Sequence, residues 1–355
     1  MKRNLDSIQC LRGFAAVAVA LHHASIQIEE LAPFKDGTKT FWIAQHFSTY
    51  VGAIGVDIFF LISGFIMAYT TYLKPEMTGT EFLQRRFVRI YPLYWFFSFV
   101  VIGLQLTPWI GWNAVSLTDS IKAFILYPEF VHYSGMTFVR PVFLAQGWTL
   151  IYEVLFYLLF ATFISFSPLR RAGLITAVFG VLALTGTLLF PGRPETALVT
   201  DSILLEFSLG LIIGWAFTTN RVRITRPWLA VGLSVSAAIL GAELLCFDHF
   251  RETPRLLHFG LPSLLLVGSL IFSPVAENWH YPRFLKLLGD ASYSIYLTHT
   301  IVLLLFHTGY IRLGFMRALP YDLYFGLLIT VIIASGLISY FLVEKPLLNL
   351  CRKRS

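Results

Sequence analysis

The sequence predicts an all-α fold, a polytopic bundle of about ten transmembrane helices with both termini on the cytoplasmic side. Three observations predict it. Of the 355 residues, 56% are hydrophobic and only 13% are charged, whereas soluble domains carry roughly 25% charged residues. Ten segments are long and apolar enough to cross a bilayer, which takes roughly 20 such residues. The basic residues are distributed unevenly between the two sides that these segments define.

The predicted spans are separated by Pro, Gly and charged residues, as at Lys74-Pro75 and Pro191-Gly192. The first span is interpreted as a retained helix, because Arg12 interrupts its apolar run and no convincing signal-peptide cleavage site follows. All spans belong to one predicted domain, 1–355. They lie near residues 8–28, 49–72, 87–107, 148–167, 172–190, 201–218, 227–245, 255–273, 290–308 and 322–342.

The basic residues predict the orientation of these spans. With the N-terminus inside, 18 of the 27 Lys and Arg residues fall on the cytoplasmic side, as the positive-inside rule requires. The stretch 108–146 is then a long external loop, in which we expect a short interfacial helix around 119–130. Trp42, Trp109 and Trp148 are expected in the external aromatic belt.

Composition also excludes several classes of protein. With 33 Phe, 16 Tyr and 8 Trp, the chain is too rich in aromatic residues for low-complexity disorder. The net charge of +7 does not indicate nucleic-acid binding, because the basic residues form no stripe or tail. The three cysteines are far apart and show no CxxC spacing, so neither a metal site nor a disulfide framework is expected.

Two ionisable residues of the first span lie on one helical face. Arg12 and His23 are 11 residues apart, which is three turns plus about 20°, or roughly 16 Å along the helix. Such residues at membrane depth are costly and usually face a cavity or a partner. The alternative is that Arg12 extends to the lipid headgroups while His23 hydrogen-bonds a neighbouring helix.

The third span opens with a pair of arginines. Arg86 and Arg89 are three residues apart, so they are neighbours on a helix. Two guanidinium groups on one face suit phosphate recognition. Taken alone, positive-inside anchoring is the better explanation of the pair.

Two carboxylates are candidates to orient His23. Glu153 lies about 8 Å into the fourth span, at a depth similar to that of His23, and a buried carboxylate needs a partner. Asp57, in the second span, competes for this role. A histidine held by a carboxylate has the geometry of a general base. Alternatively, Glu153 pairs locally, for instance with Arg140.

The ninth span carries further polar side chains. Tyr296 and His299 are three apart and share a face, so with Ser292 they are expected to line a cavity. Contacts between helices are an equally good explanation for both. Asp290 or Ser292 could instead cap the helix.

Six sequence motifs occur in one order along the chain. They are Arg12-x10-His23, GVDIFFLISGF from Gly55, Arg86-x-x-Arg89, WTLIYEVLFY from Trp148, SYSIYLTH from Ser292 and Val343-Glu344-Lys345-Pro346. Together they resemble the acyltransferase-3 family of integral membrane acyltransferases, and the resemblance spans nearly the whole chain. The Thr149 and Tyr152 form of the fourth-span motif, with no SGNH-type esterase domain after the last span, is similar to the stand-alone branch that acetylates bacterial exopolysaccharides.

The resemblance implies a bacterial inner-membrane O-acyltransferase. Its donor would be cytoplasmic acetyl-CoA, with succinyl or a longer acyl group as an alternative, and no metal is expected. The acceptor would be a sugar hydroxyl of a polysaccharide or lipid-linked oligosaccharide, with association with polysaccharide biosynthesis machinery. Arg12, Arg86 and Arg89 would meet the coenzyme phosphates, and His23 would be the general base or a transient acyl carrier. Rival interpretations are a transporter of a glycan precursor or small anion and a non-catalytic export partner.

Overall fold

The computed structural model describes residues 5–31, 52, 54–110, 116–133, 136–141, 143–250, 255–314 and 319–352. This part of the chain is mostly helical. In chain order the helices are α1 (Asp6–Leu31), α2 (Ile54–Leu73), α3 (Gly79–Gln105), α4 (Leu117–Phe124), α5 (Gly147–Thr162), α6 (Pro168–Leu189), α7 (Pro194–Thr200), α8 (Leu204–Thr218), α9 (Arg226–Phe250), α10 (Leu261–Phe272), α11 (Pro274–Asn278), α12 (Arg283–Asp290), α13 (Ser292–Arg312), α14 (Tyr321–Ser339) and α15 (Lys345–Arg352).

Within the described ranges, six helical segments are long and apolar enough to cross a membrane. The chain is therefore a membrane protein. Three further apolar helices are shorter, at Gly147–Thr162, Arg226–Ala242 and Leu256–Phe272. The six long segments are Ile54–Leu73, Gly79–Gln105, Pro168–Leu189, Pro194–Thr218, Ser292–Arg312 and Tyr321–Cys351. The count of ten spans and the orientation of the termini stay predictions.

The region between α3 and α5 differs from the all-α prediction. A helix is present, but it covers Leu117–Phe124, where Ser116 caps it by accepting from the backbone N–H of Thr118 at 3.2 Å. An antiparallel hairpin follows, formed by β1 (Glu129–Tyr133) and β2 (Met136–Arg140), with Glu129 opposite Arg140. The expected helix to residue 130 is therefore wrong at its end, since β-branched and aromatic residues there favour strands.

Several predicted spans begin at different residues from those expected, among them two that carry candidate site residues. Helix α3 starts at Gly79 rather than near 87, because the Thr78 side chain accepts from the backbone N–H of Glu81 at 3.2 Å. Arg86 and Arg89 consequently lie inside the helix. The predicted span 290–308 begins instead at Ser292, after α12 has ended at Asp290.

Glycines allow two close helix crossings that fix the site. A Cβ at Gly289 would overlap the carbonyl oxygen of Gln9, so the start of α1 packs backbone to backbone on α12. In the same way a Cβ at Gly64 would overlap the carbonyl oxygen of Phe207, which brings α2 onto α8. Small residues at such crossings are typical of membrane helices. The first contact positions Arg12, which lies three residues after Gln9, the residue whose side chain donates to Asp290.

A buried arginine closes the end of α5. Arg171 donates to the carbonyl oxygens of Phe163 at 3.2 Å and Phe166 at 3.0 Å, and to Thr71 Oγ1 at 3.1 Å. Helix C-termini leave carbonyl groups without intrahelical partners. Arg171 satisfies them and joins α5 to α2. Arg171, one of the basic residues counted on the predicted cytoplasmic side, thus also has a specific structural role.

Candidate active site

A cavity of about 200 Å³ lies between α1, α2, α3, α5 and α13. Its wall contains three arginines and one carboxylate, namely Arg12, Arg86, Arg89 and Glu153. The three sequence motifs that supply these residues are far apart in the chain. The structure therefore brings the predicted cationic residues together around one space, with an excess of positive charge.

The arginine pair of α3 is supported by aromatic rings. The guanidinium carbon of Arg86 lies 5.3 Å from the ring centroid of Phe82 and 5.9 Å from that of Tyr157. That of Arg89 lies 5.5 Å from the ring of Tyr293. Such cation–π contacts are favoured when the cation is partly desolvated. They hold both side chains toward the cavity.

Arg89 also forms an ion pair that sequence reasoning missed. Its Nη1 lies 2.5 Å from Oε1 of Glu344, a carboxylate that is 1% exposed. The second oxygen of Glu344 accepts a hydrogen bond from Ser294 Oγ at 2.6 Å. The Val343-Glu344-Lys345-Pro346 motif contained the signal, but nothing in it indicates which arginine Glu344 would meet.

Glu153 lies with the arginines. Its Oε2 accepts a hydrogen bond from Tyr157 OH at 2.8 Å, and it is in electrostatic contact with Arg86 and Arg12. The expected pairing of Glu153 with His23 is not found among the described contacts. A cationic neighbourhood compensates a buried carboxylate better than a neutral imidazole does.

Tyr296 is part of the cavity lining. Its hydroxyl lies 2.9 Å from Thr149 Oγ1 and donates to the carbonyl oxygen of Gln146 at 3.1 Å. The Gln146 side chain in turn donates to the carbonyl oxygen of Leu297 at 2.8 Å and accepts from Thr300 Oγ1 at 2.7 Å. This network fixes α13 against the start of α5. Gln146 and Thr149 were not singled out for it from the sequence.

His23 is paired with His299, whose ring lies near that of Tyr296. His23 Nδ1 lies 3.2 Å from His299 Nε2 and 3.1 Å from the carbonyl oxygen of Val19. The two rings stack with centroids 5.1 Å apart. The ring of Tyr296 lies 5.6 Å from that of His299. Neither histidine is among the described residues that line the cavity.

Asp57 is engaged elsewhere. Its Oδ2 lies 2.6 Å from Arg255 Nη2, and the carboxylate is 0% exposed. Glu206 lies beside it on α8. The interpretation of Asp57 as a partner of His23 does not match this geometry, because the buried charge is already neutralised by an arginine 198 residues away in sequence.

Ser292 lines the cavity as expected and is completely buried. Its Oγ has no hydrogen-bond partner in the described part of the chain. Neither proposed cap of this helix is present: α13 has no side-chain cap, and Asp290 accepts a hydrogen bond from Gln9 Nε2 at 2.5 Å. Across the same described residues, no cluster of three or more His, Cys, Asp or Glu side chains could hold a metal ion.

These features define a helical membrane protein with an arginine-lined cavity and a histidine pair next to Tyr296, one of the residues that line the cavity. The family model described as the acyltransferase domain matches residues 5–340, and the chain therefore belongs to the acyltransferase-3 family. The resemblance predicted from the six motifs is confirmed.

Three relatives are similar to this protein over most of its length. The exopolysaccharide production protein ExoZ of Rhizobium meliloti (strain 1021) is 32% identical, over 87% of this chain and 93% of that protein. The acyltransferase MdmB of Streptomyces mycarofaciens is 28% identical, over 99% and 93% respectively. The O-acetyltransferase OatA of Staphylococcus aureus (strain NCTC 8325 / PS 47) is 22% identical, over 97% of this chain and 57% of that protein. No solved structure matches the chain.

Proposed function

We propose that this protein is a membrane O-acyltransferase that moves an acyl group, specifically acetyl, from cytoplasmic acyl-CoA to a sugar hydroxyl. The acceptor is a bacterial exopolysaccharide, another surface glycan or its lipid-linked precursor. The observation that carries the proposal is the convergence of three arginines on a cavity that Tyr296 also lines, with the ring of Tyr296 5.6 Å from that of His299 in the histidine pair. The relatives named for exopolysaccharide production and O-acetyl transfer support the acyl group and the acceptor.

The arginines suit the donor. Coenzyme A carries several phosphate charges, and guanidinium groups bind phosphate through short, charge-assisted hydrogen bonds. A cavity of about 200 Å³ is smaller than the roughly 300–1,000 Å³ of drug-sized ligand sites. It would take the acyl thioester and part of the pantetheine arm, while the nucleotide stays outside. Arg89, whose side chain is 30% exposed, would meet the phosphates at the open end.

His23 is the proposed base. Its imidazole would take the proton of the sugar hydroxyl while the oxygen attacks the thioester carbonyl carbon. A carbon–oxygen bond forms, the carbon–sulfur bond breaks, and coenzyme A leaves as the thiolate, which the proton then neutralises. In the alternative sequence His23 first accepts the acyl group and passes it to the sugar. In both routes the thioester would have to reach beyond the residues that line the cavity, because His23 is not among them.

The remaining charged residues take roles that follow their contacts. Glu153, in electrostatic contact with Arg86 and Arg12, would partly neutralise their guanidinium groups rather than orient His23. Asp57, paired with Arg255, would join α2 to the turn before α10. With ten spans and both termini cytoplasmic in the bacterial inner membrane, Arg12 faces the compartment that holds acyl-CoA. His23 then lies roughly 16 Å farther toward the outside.

Transfer of label from [acetyl-14C]acetyl-CoA to glycan, with purified protein in lipid vesicles, tests this function. We expect radioactivity bound covalently to the glycan and removed by mild base, as an ester is. A transporter also suits a cation-lined cavity within a helical bundle, but it would move label across the vesicle without a covalent product. Succinyl-CoA in a parallel reaction distinguishes the acyl group.

A further inference from the structure

The protons of the two stacked histidines can be assigned from their contacts. His299 Nδ1 lies 2.6 Å from the carbonyl oxygen of Tyr296. A carbonyl oxygen only accepts hydrogen bonds, so Nδ1 of His299 carries the proton. In the neutral ring the other nitrogen, Nε2, is then an acceptor, and this is the atom that faces His23.

The same reasoning fixes the tautomer of His23. Its Nδ1 faces two acceptors, the carbonyl oxygen of Val19 at 3.1 Å and Nε2 of His299 at 3.2 Å. Both contacts require a proton on Nδ1 of His23. Its Nε2 is therefore left with a free lone pair. Two independent carbonyl groups, on α1 and on α13, set this arrangement.

We propose that His299 is a positioning residue that holds His23 in the Nδ1–H tautomer and directs its Nε2 at the acceptor hydroxyl. This inference rests on the proposed function of His23 as the base. The tautomer of a catalytic histidine is commonly set by a carboxylate or a carbonyl on its second nitrogen. Here a neutral imidazole shares that role, because Glu153 and Asp57 are bound to other partners.

His299 is well placed for this role. It is completely buried, and its Nδ1 is fixed by the backbone of its own helix. The Tyr296 hydroxyl, one turn earlier, is held by Gln146 and Thr149. The segment that carries His299 Nε2, the acceptor atom that faces His23, is thus held rigidly in place. Pre-organisation of this kind is what a base needs for productive geometry.

Two substitutions separate positioning from packing. His299→Gln keeps an acceptor, its amide oxygen, near the position of Nε2, whereas His299→Leu fills similar space without one. With acetyl-CoA and glycan, we expect His299→Leu to lower kcat by about 10-fold or more, with KM for acetyl-CoA unchanged. His299→Gln should recover most of that loss. Equal kcat in wild type and His299→Leu would overturn the proposal, as would equal losses in both variants.

The tautomer itself can be measured without any transfer reaction. Solid-state NMR of the ¹⁵N-histidine-labelled protein in lipid distinguishes Nδ1–H from Nε2–H rings, and the signal of His23 is the one missing from His23→Gln. We expect Nδ1–H in wild type and in His299→Gln, and a mixture of tautomers in His299→Leu. An Nε2–H signal in wild type overturns the proposal. Because the spectrum is independent of activity, an Nδ1–H ring in a protein that transfers no label contradicts only the proposed function.

Discussion

Arg89 and Glu344 form an ion pair beside the cavity, with Arg89 Nη1 2.5 Å from Oε1 of the buried Glu344 carboxylate. One residue lies on α3 and the other in the π-helical turn Tyr340–Glu344 that follows α14. Because Ser294 on α13 donates to the same carboxylate, three helices meet at Glu344. The contacts that hold these three helices together therefore also orient Arg89, a proposed donor-binding residue.

Glu344→Ala is expected to destabilise the protein strongly. Removing one member of a buried pair leaves an uncompensated charge, which costs about 3–5 kcal/mol. We expect a clear drop in Tm of the detergent-solubilised protein. Glu81→Ala is the matched control, because Glu81 also pairs with basic residues, Lys74 and Arg85, but at the surface. Exposed pairs contribute about 0–1 kcal/mol, so an equal drop in both variants would contradict the account.

The double substitution Arg86→Ala with Arg89→Ala tests donor binding. Each charge-assisted hydrogen bond contributes about 1.5–3 kcal/mol, so KM for acetyl-CoA should rise about 10-fold or more while kcat changes little. Steady-state kinetics at varied acetyl-CoA measures this. Arg85→Ala, on the same helix but exposed and paired with Glu81, should leave KM unchanged. An unaltered KM in the double variant would assign the two arginines to membrane topology alone.

Glu153→Gln distinguishes two roles for this carboxylate. The amide oxygen can still accept from Tyr157, but a negative charge is lost beside the arginines that would meet the donor phosphates. Since like charges repel, we expect KM for acetyl-CoA to fall and kcat to be retained. A large loss of kcat at unchanged KM would instead restore Glu153 as the residue that orients His23.

Asp57→Asn should reduce stability rather than catalysis. Arg255 would lose the charge of its ion-pair partner while the carboxylates of Glu206 and Asp201 stay nearby, so the cost should lie below the roughly 3–5 kcal/mol of a fully uncompensated buried charge. We expect a lower Tm and less folded protein, with kcat per folded molecule close to that of wild type. Size-exclusion chromatography, with the folded protein quantified independently of its activity, separates a loss of stability from a loss of catalysis. A normal Tm with kcat near zero would make Asp57 a catalytic residue.

Periodicity and hydropathy predicted the helical membrane fold and the residues around the cavity. The helical repeat placed Arg12 and His23 on one face, and Arg86 beside Arg89. These are properties of a single helix, so they can be read from one segment. The earlier start of α3 could also be predicted, because Thr78-x-x-Glu81 is a typical capping sequence. A prediction based on apolar segments misses it, because such segments exclude charged turns.

Pairings between helices could not be predicted in this way. The sequence predicts similar membrane depths for Glu153 and His23, yet depth does not determine which helix faces pack against each other. The ion pairs Arg255–Asp57 and Arg89–Glu344 join positions 198 and 255 residues apart. Only the packed bundle, with its close crossing at Gly289, sets these neighbours.

The most direct test of the central claim is acetyl transfer by His23→Ala, compared with wild type and His280→Ala. His280 is exposed in the segment before α12 and has no proposed role. With equal amounts of folded protein in lipid and labelled acetyl-CoA, the account predicts ester-linked label in glycan from wild type and His280→Ala, and none above background from His23→Ala. Wild-type levels of labelled glycan from His23→Ala would contradict it.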